Sequence, residues 1–403
     1  MKACMVAYAF YEGDNRVRRY AESLVQRGDQ VEAIALRRPG QAAYEVIRGV
    51  QVYRIQERSI NESGPLSYLV KLLLFFFRST ALLAWRHLQT PYGLIHVHSV
   101  PDFQVFSTIV PRLLGAKVIL DIHDIVPEFY AGKFNVSEKS LVFRALLLVE
   151  RLSIAFSSHV IIANHLWETK LLRRAVRTEK CTPMINYPDL SIFFQRPRGD
   201  SFPGRFVLCY PGSLNWHQGL DVAIRAMELT RTQVPEAFLL IIGDGPEREA
   251  LRSSIREANL EDRVELRDRM PLEKIAEVMA SVDLGVVPKR SDSFGNEAFS
   301  TKIMEFMAMG VPVLASETKI DRYYFNDDLV HFFKSGDAED LAKKIVELVH
   351  DAARREKLRR NAAVFIAKNT WDVKKQEYLD LVERLTGPAQ GQNAARSYGN
   401  TIA

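Results

Sequence analysis

The sequence predicts an α/β protein built as two Rossmann-like domains facing each other across a cleft. Three observations carry that prediction. Strand and helix patterns alternate in two separate series, a Pro- and Gly-rich stretch divides them, and 403 residues are too many for one ordinary core. At 47% hydrophobic and 26% charged residues the chain reads as globular rather than disordered.

The first series opens with a strand over Ala3–Phe10 and a polar loop. A helix follows, with Val17, Tyr20, Ala21, Leu24 and Val25 on one face, closed by Gly28, and Val31–Leu36 is the next strand. A βαβ start implies a parallel sheet with right-handed crossovers. The loop Gly13-Asp14-Asn15-Arg16 therefore falls at a strand's carboxyl end, where open α/β sheets bind ligands. It lacks the GxGxxG spacing of a dinucleotide site. The apolar start meets Glu12 and Asp14 with no small-residue cleavage site, so it reads as a strand and not a signal peptide, and a cytoplasmic protein is expected.

Residues 66–88, LSYLVKLLLFFFRSTALLAWRHL, form the most apolar stretch. Lys71 and Arg78 interrupt it short of the ~18 apolar residues of a membrane span. On a helical projection Lys71, Arg78 and Arg86 fall near one stripe, which suits a helix lying on an anionic membrane surface. A helix buried in the first domain with its basic ends snorkelling outward is the competing reading.

Strands resume at Leu94–His98, Val118–Ile122 and Val160–Ala163. His96 and His98 share a strand face, but no Cys or carboxylate cluster has zinc-site spacing, so no metal is expected. His123 ends a strand and precedes Asp124 and Pro127, which puts it on the carboxyl rim facing the cleft. Cys4, Cys181 and Cys209 show no CxxC spacing and read as reduced packing residues.

Residues 187–204 hold three prolines and two glycines and read as the linker between domains at 1–190 and 203–371. The second series runs through strands at Phe206–Tyr210, Phe238–Ile242, Val264–Leu266 and Leu284–Val287, with a Gly243-Asp244-Gly245-Pro246 turn into a helix. It ends on Phe294–Ser316, a loop, a helix with a polar first turn, a Gly310-Val311-Pro312 stop and a short apolar strand. This segment carries Glu297 and Glu305, with Ser300-Thr301-Lys302 between them. A polar helix N-terminus with a lysine suits an anionic ligand bearing hydroxyl groups, such as a sugar nucleotide. A last amphipathic helix is expected at 372–386, and residues 387–403 read as a disordered tail.

Charge is uneven along the chain. Residues 1–195 carry 24 Lys+Arg against 17 Asp+Glu, leaving 30 against 32 of the chain's 54 and 49 for the rest. A basic front half suits an acidic surface or substrate, although scattered solvated arginines explain it equally well. The basic residues form no aromatic-interleaved patch, so nucleic acid is not an expected partner.

Taken together, Glu297-x7-Glu305 with Gly-Val-Pro-Val after its helix, the Gly212 strand-loop, Ile242-Gly243-Asp244-Gly245-Pro246-Glu247 and Ile122-His123-Asp124 resemble the family 4 retaining glycosyltransferases of the GT-B architecture. The resemblance reaches to about residue 386. It implies two Rossmann-like domains, with the last helix crossing back onto the first. It implies transfer of a sugar, with retention, from a nucleotide-sugar donor (UDP-linked) to a glycan or lipid-linked acceptor in surface or exopolysaccharide biosynthesis, without a cofactor.

The resemblance also implies roles. Glu305 would accept from the ribose hydroxyls and Glu297 from hydroxyls of the transferred sugar. Ser300, Thr301 and Lys302 would meet the diphosphate, together with Gly13 and Arg16 from the first domain. Gly243, Asp244 and Gly245 would lie near the base, and His123 would serve the sugar at the reacting centre. One departure stands out: the family's Arg and Lys diphosphate clamp is replaced by Ser213 and Gln218. Losing two charged hydrogen bonds costs about 1.5–3 kcal/mol each unless another cation takes over. Lys302 is the expected substitute, ahead of Arg16, Lys289 and Arg290. The substitution keeps two other readings open, a non-catalytic nucleotide-sugar-binding subunit and a sugar-nucleotide epimerase of the same architecture.

Overall fold

The computed structural model describes residues 1–58, 65–134, 137, 139–199 and 201–387. The chain divides into two compact units, Met1–Asn186 with Lys375 onward, and Tyr187–Lys374. Each is an α/β layer structure around its own sheet.

Unit 1 runs β1 (Lys2–Ala7), α1 (Asn15–Gln26), β2 (Gln30–Arg37), β3 (Tyr44–Ile47), β4 (Val50–Glu57), α2 (Pro65–Gln89), β5 (Leu94–His98), α3 (Ile109–Leu113), β6 (Lys117–Ile122), α4 (Val126–Phe134), α5 (Leu141–Phe156), β7 (His159–Ile162), α6 (His165–Arg174) and β8 (Cys181–Pro183). A 3-10 stretch, Asp102–Thr108, leads into α3. The sheet order is β3-β4-β2-β1-β5-β6-β7-β8. All pairs are parallel except β3 with β4. The central strands are buried on both faces, which explains their unbroken apolar runs. The chain turns toward β3 after β1 and toward β8 after β5, so right-handed crossovers put α1 on one face and α2 to α6 on the other.

Local capping fixes the helix that follows β1. The Asp14 carboxylate accepts from the amides of Arg16 and Val17 at 3.0 and 3.1 Å, so α1 begins where those donors would otherwise be orphaned. Gly28, at φ +95°, closes the helix in the left-handed region.

Helix α2 is not apolar on its core-facing side alone. Leu72, Phe75, Ser79 and Leu83 are buried against the domain, yet the opposite face, also apolar, is exposed. Nor do the three basic residues act together. Arg86 turns inward to a bidentate pair with Glu32, at 2.6 and 2.7 Å, while Arg78 stays exposed.

Unit 2 runs β9 (Phe206–Pro211), α7 (Leu220–Leu229), β10 (Ala237–Ile242), α8 (Arg248–Glu257), β11 (Val264–Arg267), α9 (Leu272–Met279), β12 (Leu284–Val287), α10 (Thr301–Ala308), β13 (Val313–Glu317), α11 (Lys319–Tyr324), β14 (His331–Lys334), α12 (Ala338–His350) and α13 (Ala352–Ile366). Its all-parallel sheet is ordered β11-β10-β9-β12-β13-β14. The last helix, α14 (Trp371–Thr386), enters unit 1 from Lys375. There Tyr378 is fully buried, its hydroxyl 3.1 Å from His96 Nδ1 and its ring centroid 4.4 Å from that of Tyr20. The tail expected to be disordered lies, from residue 388, outside the described residues.

Candidate functional site

Both sheets reverse their winding once, between β1 and β5 in unit 1 and between β9 and β12 in unit 2. Carboxyl ends of strands at such a switch point are where open α/β sheets leave a crevice. The candidate residues gather at these two places.

In unit 1 the crevice is a cavity of about 270 Å³. Tyr8 and Ala9 line it after β1, His98 and Ser99 at the end of β5, and His123 and Asp124 after β6. Asp14, Arg58 and Tyr68 complete the wall. The Arg58 guanidinium lies 5.1 Å from the Tyr8 ring centroid and 5.5 Å from that of Tyr68, so the cavity has a cationic and aromatic side facing an imidazole and carboxylates. That mixture can hold a hydroxyl-rich molecule.

Beneath it lies a buried polar network that residue spacing alone did not reveal. Asp121, at the end of β6 and fully buried, is its hub. Arg16 donates to it from both Nε and Nη2 at 2.7 Å. His98 Nδ1 and His123 Nε2 each lie 3.2 Å from Asp121 Oδ2. Burial pushes the carboxyl upward, but Arg16 and then His123 outweigh it and hold Asp121 well below its usual range. Burial pulls both His96 and His98 below the ordinary imidazole range. The available signal was the two-residue strand period, which puts residues 121 and 123 on the same side.

Arg16 therefore has a different job from the one implied by the resemblance. It is 3% exposed, and Nη1 donates to Met184 O and Asn186 Oδ1 at 2.7 and 2.9 Å. Its fork is committed to the fold rather than offered to a diphosphate. Gly13 closes a 3-10 turn, Tyr11–Gly13, with its amide on Phe10 O at 3.0 Å. His96, His98 and Asp121 do bring metal-ligating atoms within 4.8 Å of one another. The Arg16 fork already supplies the positive charge there, so an ion pair accounts for the cluster.

In unit 2 the loops after β9 and β10 are laced together by backbone hydrogen bonds, Gly212 N to Ile242 O at 2.8 Å and Leu214 N to Asp244 O at 3.0 Å. Glu247 N also donates to Leu214 O at 3.0 Å. The approach is close enough that a Cβ on Gly243 would stand 1.8 Å from Gly212 O, and one on Gly245 2.5 Å from Leu214 O. Glycine is required for this contact. Gly243→Ala should force the loops apart and lower the melting temperature by several degrees. Differential scanning fluorimetry checks it; an unchanged melting temperature would show that the loops are not locked together.

Helix α10 rises beside this pair of loops. Ser300 occupies its N-cap but makes no side-chain cap hydrogen bond, so the helix start lacks the usual oxygen over its amides. Lys302 packs against Gly212: a Cβ there would lie 2.3 Å from Lys302 Cε and 2.9 Å from Nζ. Its ammonium sits 5.0 Å from the Tyr210 ring centroid, and burial pulls its pKa below the usual lysine value, partly offset by Glu305. Ser213 accepts from the Tyr210 hydroxyl at 2.9 Å through its carbonyl, and Gln218 ends the 3-10 turn Trp216–Gln218.

The neighbouring cations are engaged. Lys289 pairs with Asp321 at 3.0 Å and donates to Ala298 O, Arg290 pairs with Asp221 at 2.5 Å, and Lys319 pairs with Glu297 at 3.3 Å. Among the described residues Lys302 has no hydrogen-bond or ion-pair partner. Glu297 is nearly buried in the loop before α10, and Glu305 lies three residues past Lys302 on the same helix face.

Comparison with known proteins fits these two halves. Residues 13–186 match the family model for the glycosyl transferase 4-like domain, and residues 191–365 match that for glycosyl transferases group 1. A sulfoquinovosyl transferase from Arabidopsis thaliana is 23% identical over 390 residues, covering 90% of this chain and 69% of that protein. Sucrose-phosphate synthase from Thermosynechococcus elongatus superposes with a TM-score of 0.77 at 20% identity, covering 96% of this chain and 99% of that one. HepE from Anabaena, solved in complex with UDP and glucose, gives 0.70 at 16% identity, covering 94% and 99%. With one glycosyltransferase model matched in each unit and the fold shared across nearly the whole length, the chain belongs to the family 4 glycosyltransferases of the GT-B architecture.

Proposed function

We propose that this glycosyltransferase takes a UDP-linked sugar as donor and transfers it, with retention at the anomeric carbon, to a glycan or lipid-linked acceptor. Exported or surface polysaccharide is the proposed product class, and the cytoplasm, at the inner face of the membrane, the proposed place of work. The observation that carries the donor half is Lys302, a cation with no hydrogen-bond or ion-pair partner among the described residues, in the first turn of a helix whose cap side chain leaves its amides uncovered. Such a place suits a diphosphate. It also answers the substitution of the clamp residues by Ser213 and Gln218, because one positive charge and a helix N-terminus lie against the same loop. No metal is invoked for this charge balance.

Glu305 then accepts from the ribose hydroxyls, and Glu297 from the sugar. In unit 1, His123 serves the reacting sugar while the cavity around it receives the acceptor. Departure of a nucleoside diphosphate leaves positive charge on the sugar, so the residues act by holding reactants and matching charge. A donor phosphate oxygen takes the acceptor's proton in same-face attack. The HepE complex with UDP and glucose supports the UDP assignment by likeness of fold.

A thermal-shift panel of nucleoside diphosphates tests the reading. UDP at 100 times its dissociation constant adds about 2.7 kcal/mol of stability. CDP, ADP and GDP should shift the wild type less, and Lys302→Ala should lose most of the UDP shift. Equal shifts from all four would remove the UDP assignment. UDP release only when acceptor is present separates a transferase from a binding subunit; conversion of donor alone would make it an epimerase.

A further inference from the structure

We infer that the outer faces of α2, α3 and α5 together form a docking surface for an anionic lipid bilayer. The inference builds on the lipid-linked acceptor proposed above and extends it from one helix to a whole side of unit 1.

The three elements are neighbours. The Asp102–Thr108 stretch lies between α2 and α5: Phe103 packs on Phe76 at 5.9 Å between ring centroids, and Phe106 on Phe156 at 5.1 Å. Arg112 of α3 lies over the Phe156 ring at 4.9 Å. All sit on one side of the sheet, so their outward faces belong to one surface.

That surface is apolar where a solvated helix would be polar. On α2, Val70, Leu74, Phe77, Ala81, Trp85 and Leu88 are spaced three or four apart and all are exposed, Phe77 at 64%. On α3, Leu113 is 80% exposed and Leu114 is exposed beside it. On α5, Leu141, Ala145, Leu148 and Leu152 make a second stripe at the same spacing, Leu141 at 81%. A lone exposed leucine is ordinary; two helical stripes joined by a third element mark a surface that something covers.

Charge selects the occupant. Helices α2 and α3 contain no Asp or Glu, and the sole acid of α5, Glu150, is buried against Arg174. The exposed charges on these helices are basic, Arg78 on α2 and Arg144 and Arg151 on α5. An apolar face bordered by arginines, with no exposed carboxylate on α2, α3 or α5 among the described residues, complements an anionic bilayer, the apolar side chains entering the acyl boundary and the guanidinium groups meeting headgroups.

Ser67–Gln89 is long and apolar enough to cross a membrane, but the fold holds it flat. Ser79 Oγ accepts from Gln104 at 2.7 Å, Lys71 O accepts from Gln56 at 2.9 Å, and Arg86 is clamped by Glu32. Insertion across a bilayer would break all three. The helix instead lies in the plane of the interface, its inner face still in the domain core.

Vesicle co-sedimentation of the full chain tests this, with phosphatidylcholine alone and with a phosphatidylcholine–phosphatidylglycerol mixture, at low and high salt. The wild type should sediment with the mixed vesicles and less with the neutral ones, and salt should weaken it. Arg144→Glu with Arg151→Glu should cut binding to mixed vesicles at least about tenfold. Leu148→Ser with Leu152→Ser should reduce it comparably, which a surface confined to α2 would not give. These exposed positions belong to unit 1 and the proposed nucleotide residues to unit 2, so every variant should keep the UDP thermal shift. Wild-type protein left in the supernatant with both vesicle types, or bound equally to both, overturns the inference. So does a wild-type dimer by light scattering that the Leu148/Leu152 variant converts to a monomer, since the face would then be a self-interface. Vesicle failure with an intact UDP shift sinks this inference alone; vesicle binding without a UDP shift sinks the proposed donor instead.

Discussion

Asp121→Ala should cost about 3–5 kcal/mol of stability, because it leaves the Arg16 guanidinium buried and uncompensated. Both groups are essentially inaccessible, and Arg16 spends two of its donors on this carboxylate and two more on Met184 O and Asn186 Oδ1. No rotamer carries the charge to water without dismantling these contacts. Urea unfolding followed by fluorescence should show unfolding moving to lower denaturant, and the melting temperature should fall by many degrees. The second variant to make is Arg16→Met with Asp121→Leu, which removes the charge pair as a unit and should recover much of the loss. If Asp121→Ala melts with the wild type, the network is not what holds this end of the sheet.

The sign of the pH effect follows from the same pair. Asp121 has a folded pKa below the unfolded value of 3.8, so its contribution is present above that value and disappears as pH falls below it. The acid limb of the wild type's stability curve should be steeper than that of the double variant.

Glu305→Ala should abolish measurable nucleotide binding. A carboxylate that accepts from two vicinal hydroxyls makes two charge-assisted hydrogen bonds, at about 1.5–3 kcal/mol each. Their loss is about 3–6 kcal/mol, on the order of 10²–10⁴ in dissociation constant. Titration calorimetry with UDP reads this directly. Glu305 sits on the partly exposed face of a helix whose buried side is carried by Ile303, Met304, Phe306 and Met307, so the unliganded melting temperature should change little. Retained affinity for UDP would show that α10 does not carry the ribose contact.

The strands that set the site were legible because parallel strands buried on both faces read as apolar runs: β5 and β12 appear in the structure over the residues the sequence marks. Helix α10 was legible through its Gly310 stop. The β3–β4 pair was not, because Tyr44–Ile47 is an exposed edge with no apolar run to announce it. Arg16 was misassigned for a related reason. Its loop position is a local fact, whereas its partner lies 105 residues away, and only the folded sheet brings Asp121 under it. The α2 stretch announced its hydrophobicity but not its direction. Periodicity cannot say which of two apolar faces meets the core.

The burial of Tyr378 against Tyr20 and His96 carries a consequence for the order in which the protein is made. Unit 1 begins at the amino terminus, but the residue that seals this side of its sheet is translated only after the whole of unit 2. At about 5–20 residues per second, a nascent first unit waits roughly ten to forty seconds with that surface open. A ribosome-bound chain ending at 374 should therefore expose Tyr20 and recruit chaperones, and adding α14 should end that exposure in a single step.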